Sequence, residues 1–169
     1  MLLWYEKHGN PRKLIINFSI SISIDTLIIS HLPDGPTATF RVSGIKLRDS
    51  LPNHGRVTSH DYPPELILNN FDTMTGHRIG RMLAALFPQS PNFHGRKVVT
   101  FHNQRDFIFF RNHRYEFAED GQRANLQEVG PRFTIKLHAL QLGTMDTRFG
   151  EYEFIYKPRM GVNRKQMYL

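Results

Sequence analysis

The sequence predicts a mixed α/β domain of the α+β kind, and three observations carry that prediction. Several segments alternate apolar and polar residues and are rich in β-branched or aromatic side chains. One segment has apolar residues at helical spacing. The order is strands, a helix, then strands again. At 169 residues, 40% of them hydrophobic, the chain suits one domain or two small ones sharing a core. That length buries enough apolar surface to fold without covalent staples.

Between Leu14 and Ser30, Ile20, Ile22 and Ile24 alternate with Ser21 and Ser23, which predicts one long strand or two short ones. The same run follows Lys7, Arg12 and Lys13 and superficially resembles a signal peptide or membrane span. Asn17, Ser19, Asp25 and Thr26 make it too polar for a span, and no small-residue cleavage pattern follows, so no membrane association is expected. The Asn17-Phe18-Ser19 sequon is then incidental. Leu32-Pro33-Asp34-Gly35-Pro36 predicts a turn, because proline presets φ and glycine tolerates positive φ. Thr37–Val42 returns as the second arm of a hairpin. Leu51–Pro64 reads as a loop and Glu65–Phe71 as a short strand.

The helix follows. Thr73 or Thr75 can cap it, Ile79, Met82, Leu83, Leu86 and Phe87 share one face, and Pro88 stops it. Its other side carries His77, Arg78 and Arg81, either a solvated face or a phosphate contact. Lys97–His102 and Phe107–Phe117 then form a second hairpin about Asn103–Asp106. Leu126–Arg132 is broken by Gly130-Pro131, Phe133–Leu140 alternates as a strand, and Tyr152–Tyr156 is a last strand. From Pro158 the chain is expected to be a basic, polar, mobile tail.

Charge points to a polyanionic partner. The 22 Lys+Arg against 15 Asp+Glu give +7, and 13 of those basic residues lie between His94 and Leu169. In Phe107–Tyr115 the strand period places Phe107, Phe109, Arg111 and His113 on one face, and Ile108, Phe110, Asn112 and Arg114 on the other. One face can be buried while the other displays rings and cations, a surface that suits RNA. For the rings themselves the core reading is preferred to a stacking one. Arg105, Arg111, His113 and Arg114 are candidate RNA contacts. A second basic set is Arg132 and Lys136, on one strand face, with His138 beyond them. Lys157, Arg159, Arg164 and Lys165 extend it. Such a row either tracks a phosphate backbone or protects an edge strand by charge.

Enzymatic readings find little support. There is no cysteine, which removes disulfides, thiolate zinc sites and thiol catalysis together. The nine histidines form no HExxH motif, no serine has a GxSxG setting, and no GxxxxGK[ST] loop exists. Neither a metal nor an organic cofactor is expected. A nuclease would need a carboxylate cluster that the sequence does not display.

Five ordered blocks resemble the Brix domain family. They are Ile28–Ala38, Leu68–Phe71, Gly76–Met82, Thr100–Arg111 and Glu128–Leu137, and Gly150–Phe154 with Lys157-Pro158-Arg159 closes the likeness. The resemblance implies a fold of two α/β half-domains, each like an anticodon-binding domain, about a pseudo-twofold axis. On that basis residues 26–93 are a partial first half, 94–159 a second half, and 160–169 a basic tail. It also implies a nucleolar, non-enzymatic protein that binds precursor ribosomal RNA. The ending is most like the branch that serves the large ribosomal subunit in pre-ribosomal particles and pairs with a Mak16-type assembly protein. Gly130-Pro131-Arg132-Phe133 falls in the family's C-terminal signature, which makes the neighbouring cations candidate RNA contacts. Residues 1–25 do not resemble the family. The expectation is a truncated or mis-spliced product in which Leu14–Ile24 replaces native sequence and leaves the first half incomplete.

Overall fold

A computed structural model describes residues 2–5, 14–21, 24–55, 62–118, 121–145, 150–161 and 166–169, with the backbone alone before residue 26 and at 161. Part of the loop expected over Leu51–Pro64 lies outside the described residues, as do Arg164 and Lys165. The strands are β1 (Leu2–Tyr5), β2 (Leu14–Ser21), β3 (Ile24–His31), β4 (Thr37–Lys46), β5 (Glu65–Asn69), β6 (Lys97–Gln104), β7 (Phe107–Phe117), β8 (Ala124–Glu128), β9 (Arg132–Gln141) and β10 (Tyr152–Ile155). Among the described residues there is one α-helix, α1 (Met74–Ala84), between β5 and β6. The fold is mixed, as predicted, but strand-dominated.

All ten strands join one sheet in the order β1-β2-β3-β4-β9-β7-β6-β5, with β10 on β9 and β8 on β7. Every pairing is antiparallel except β5 with β6. That parallel pair needs a crossover, and α1 supplies it. The Leu14–Ser30 run is two strands, paired from Leu14 with His31 to Ser21 with Ile24.

The core lies between one sheet face and α1. Leu27 and Ile29 of β3, Phe40 and Val42 of β4, Phe101 of β6, Ile108 of β7 and Ile135 and Leu137 of β9 all turn the same way. They meet Ile79, Met82 and Leu83 of α1. Thr73 caps the helix by accepting the Gly76 amide at 2.9 Å. The regular helix ends before Leu86 and Phe87, which were expected within it. Their amides bond instead to Leu83 and Ala84 carbonyls three residues back, at 3.2 and 3.1 Å. Pro88 disfavours helical geometry in the residue before it, so the last turn tightens while both side chains still pack on the core.

Two further expectations are corrected. Strand β8 occupies a stretch the sequence reading left without a strand, because Ala124–Glu128 is exposed almost throughout and lacks an apolar alternation. Within the tail expected to be mobile, Tyr168 and Leu169 are anchored. Leu169 is only 2% exposed, and the Tyr168 and Leu169 amides donate to Asp106 Oδ1 at 2.8 and 3.0 Å. Thr73 Oγ1 donates to the Tyr168 carbonyl at 2.7 Å, and a side chain at Gly76 would strike the Leu169 backbone. No helix among the described residues is long and apolar enough to cross a membrane.

Candidate nucleic-acid interface

Alternation along β7 sorts its residues as the sequence predicts. Ile108 is fully buried, and Phe110 stacks on Phe133 at 4.4 Å between centroids, both towards the core. Phe107, Phe109, Arg111 and His113 therefore line the opposite, outer face. Register then builds rows across the strands. Phe107 of β7 lies beside Lys136 of β9, and Lys136 beside Arg41 of β4. Phe109 lies beside His102 on one side and Thr134 on the other.

Rings hold the cations in this face. The Lys136 ammonium sits 4.7 Å from the centre of the Phe107 ring and 4.2 Å from that of Tyr156. Tyr156 reaches it because its amide donates to the His138 carbonyl at 2.8 Å, which ties the segment after β10 back onto β9. The Arg111 guanidinium is 5.6 Å from the Phe109 ring centre, and its Nη1 donates to the Phe110 carbonyl at 2.7 Å. Both cations thus set their charged heads against rings, and the multiple N–H donors of an ammonium or guanidinium allow further contacts to a ligand.

One carboxylate tempers the patch. Glu128 lies beside His113 across β7 and β8, and its Oε1 is 3.6 Å from Arg132 Nε. Burial lowers the Arg111 pKa from its ordinary value; Glu128 opposes that shift and Arg132 adds to it. Burial likewise lowers the His113 pKa, with Glu128 opposing and Arg111 reinforcing. Tyr115, further along the same face, donates its hydroxyl to Glu65, and that bond raises the phenol's pKa.

The predicted cations do not all converge. Arg111, His113, Arg132 and Lys136 share the outer face. Arg114 projects to the other side of β7 and pairs with Glu116 at 2.9 Å. Arg105 stands exposed in the β6–β7 turn, whose two residues Arg105 and Asp106 both have positive φ, 53° and 63°. Lys157 and Arg159 are exposed beyond β10. On α1, Arg78 pairs with Glu153 of β10, while His77 and Arg81 are exposed. Sequence reasoning missed Arg41 and Tyr156. Arg41 was findable, because Ala38, Phe40 and Val42 alternate with Thr39 and Arg41 and put the arginine outside. Tyr156 was not, since its place depends on how the chain returns after β10. Among the described residues no group of His, Asp and Glu could hold a metal ion.

The family model of the Brix domain matches residues 10–139. The chain belongs to the Brix domain family. The match begins at residue 10, so the expectation that residues 1–25 do not resemble the family is corrected for residues 10–25. Among curated relatives, Ribosome production factor 1 of Mus musculus is 54% identical over 85% of this chain and 41% of the relative. Ribosome production factor 1 of Saccharomyces cerevisiae is 48% identical over 85% of this chain and 46% of its own length. Probable ribosome production factor 1 of Drosophila melanogaster is 55% identical over 76% of this chain and 32% of its own. The chain thus spans less than half the length of these Brix relatives.

Proposed function

We propose that this Brix chain is a non-enzymatic ribosome-assembly factor that binds precursor ribosomal RNA on the outer face of its sheet. The observation that carries the reading is the row of Arg41, Lys136 and Phe107, with Arg111, Phe109, Arg132 and Tyr156 around it. Cations on this face neutralise phosphates, and rings meet unpaired bases. Arg105, His113, Lys157 and Arg159 extend the contact, and Arg114 contributes from the other side of β7. The relatives' printed name, Ribosome production factor 1, supports a part in making ribosomes. On this reading the chain works in the nucleolus, within pre-ribosomal particles of the large subunit, and takes part in ribosomal RNA processing. A Mak16-type assembly protein is the protein partner, for which β8 offers exposed Leu126 and neighbouring Phe117. The same reading takes residues 26–93 and 94–159 as the two half-domains of the family fold.

A titration of a labelled precursor-rRNA fragment against salt tests the proposal. With about four phosphates neutralised, by Arg41, Arg111, Arg132 and Lys136, affinity falls roughly fifty- to 150-fold between ~50 and ~200 mM salt. The Arg111→Glu, Lys136→Glu double variant reduces the logarithmic slope by about half. A salt-independent affinity, or a slope unchanged in the variant, overturns the reading and favours a protein scaffold whose basic face is only solvated.

A further inference from the structure

A cleft opens on the outer face beside Lys136. Thr26 of β3, Thr39, Phe40 and Arg41 of β4 and His138 of β9 line it, around a volume of about 320 Å³. We propose that this cleft is a subsite for one unpaired nucleotide of a bound RNA, with Arg41 holding its phosphate. The proposal rests on the RNA-binding reading above and specifies the form of the RNA.

Three features of the structure support it. The first is a β-bulge. Thr39 pairs with Ala139, whereas the next residue, Phe40, pairs with Leu137. His138 is thus the extra residue on β9, and it is exposed into the cleft mouth. Bulges re-aim a side chain out of the regular ladder, and they recur beside binding sites. The second is chemistry. Arg41 offers a planar donor fork for a phosphate, Thr26 and Thr39 offer hydroxyls, and His138 offers a ring. Among the described residues, none of the ion pairs involves Arg41. The third is size and continuity. The volume lies at the low end for small-ligand pockets, and Lys136 and Phe107 continue the same cross-strand row from Arg41. A duplex presents no extruded nucleotide, so the cleft favours single strands, loops or bulged nucleotides.

The test compares two probes on the whole chain, a fluorescein-labelled oligouridine of about twelve nucleotides and a duplex RNA of equal length. The Arg41→Ala, His138→Ala variant weakens oligouridine binding by about tenfold and duplex binding by no more than about threefold. Thr39→Val, which keeps the β-branched shape suited to a strand, weakens oligouridine binding in the same direction, and unchanged thermal unfolding excludes misfolding. Photoreactive thiouridine in the oligomer crosslinks to peptides carrying Thr39–Arg41 or His138. Equal losses on both probes, or no loss on either, overturn the subsite. If the Arg111→Glu, Lys136→Glu variant abolishes binding while the cleft variants and crosslinks leave the cleft out, RNA binding stands and the subsite falls. If the native chain binds neither RNA, both fall.

Discussion

Asp106 offers the sharpest test of how the chain end and the β6–β7 turn are held together. It does two things at once. Its backbone occupies the left-handed region at φ 63°, and one oxygen of its carboxylate accepts the Tyr168 and Leu169 amides at 2.8 and 3.0 Å. Asparagine keeps both properties in neutral form, glycine keeps only the backbone freedom, and alanine keeps neither. Hydrogen bonds to a charged group contribute about 1.5–3 kcal/mol each, but Asp106 is only half-buried and one oxygen serves both amides, so roughly 2 kcal/mol in total is reasonable. The left-handed backbone adds about 1–2 kcal/mol for alanine.

Asp106→Ala therefore costs roughly 3–4 kcal/mol, Asp106→Gly about 2–3, and Asp106→Asn less than about 1. Urea unfolding followed by far-ultraviolet circular dichroism measures this. With a slope of ~1.5 kcal/mol/M, the alanine variant loses about 2–2.7 M in midpoint while the slope stays constant. The order Asn, Gly, Ala is the discriminating result. An asparagine variant as damaged as alanine, or an alanine variant indistinguishable from the native chain, refutes the argument that the carboxylate pins the chain end.

Other outcomes follow from the same structure. Ile108→Ala, at a fully buried position, costs about 2–5 kcal/mol, whereas Phe107→Ala, one residue away but 41% exposed, changes stability by less than ~1 kcal/mol and weakens RNA binding; paired urea and anisotropy measurements separate the two. Thr73→Ala removes both the cap on the Gly76 amide and the donor to the Tyr168 carbonyl, and thermal unfolding registers a loss of about 1–2 kcal/mol. His113 is held with a folded pKa below its ordinary value, so the unfolded chain binds more protons. Its contribution to stability is complete above about pH 6.5 and is lost as pH falls towards the folded value. His113→Gln flattens that part of the stability-against-pH curve, and an unchanged slope contradicts the assignment.

The parts of the fold legible in the sequence were those governed by local period. Alternation placed Ile108 and Phe110 opposite Phe107 and Arg111, and helical spacing found the apolar face of α1 with Thr73 as its cap. Proline and glycine marked the Leu32–Pro36 turn. The parts that escaped depend on contacts distant along the chain. Strand β8 carries little apolar signal because it pairs through its backbone to β7 and leaves most of its side chains in solvent. Leu169 and Tyr156 are single residues whose positions are set by Asp106 and His138, with nothing in their neighbours' spacing to announce it. Arg132 and Lys136 were placed on one face correctly, but Glu128, which sits against Arg132, joined the site only through the register of β7 with β8.

The bulge at His138 explains why strict alternation along β9 could not predict the whole face. Counting by twos from Ile135 and Leu137 carries Ala139 into the core and turns Leu140 outward. The structure does the reverse: Leu140 is fully buried opposite Ala38, because the extra residue resets the phase. The reset lets one strand satisfy two demands. Below the bulge, Lys136 meets the rings of Phe107 and Tyr156 on the outer face while Ile135 and Leu137 fill the core. Above it, Leu140 and Gln141 stay buried against β4 and β10. A perfectly regular strand would have to expose Leu140 or bury Lys136, and burying an unpaired ammonium is the costlier choice. The irregularity therefore allows a continuous core and a charged outer face to coexist on the same ten residues.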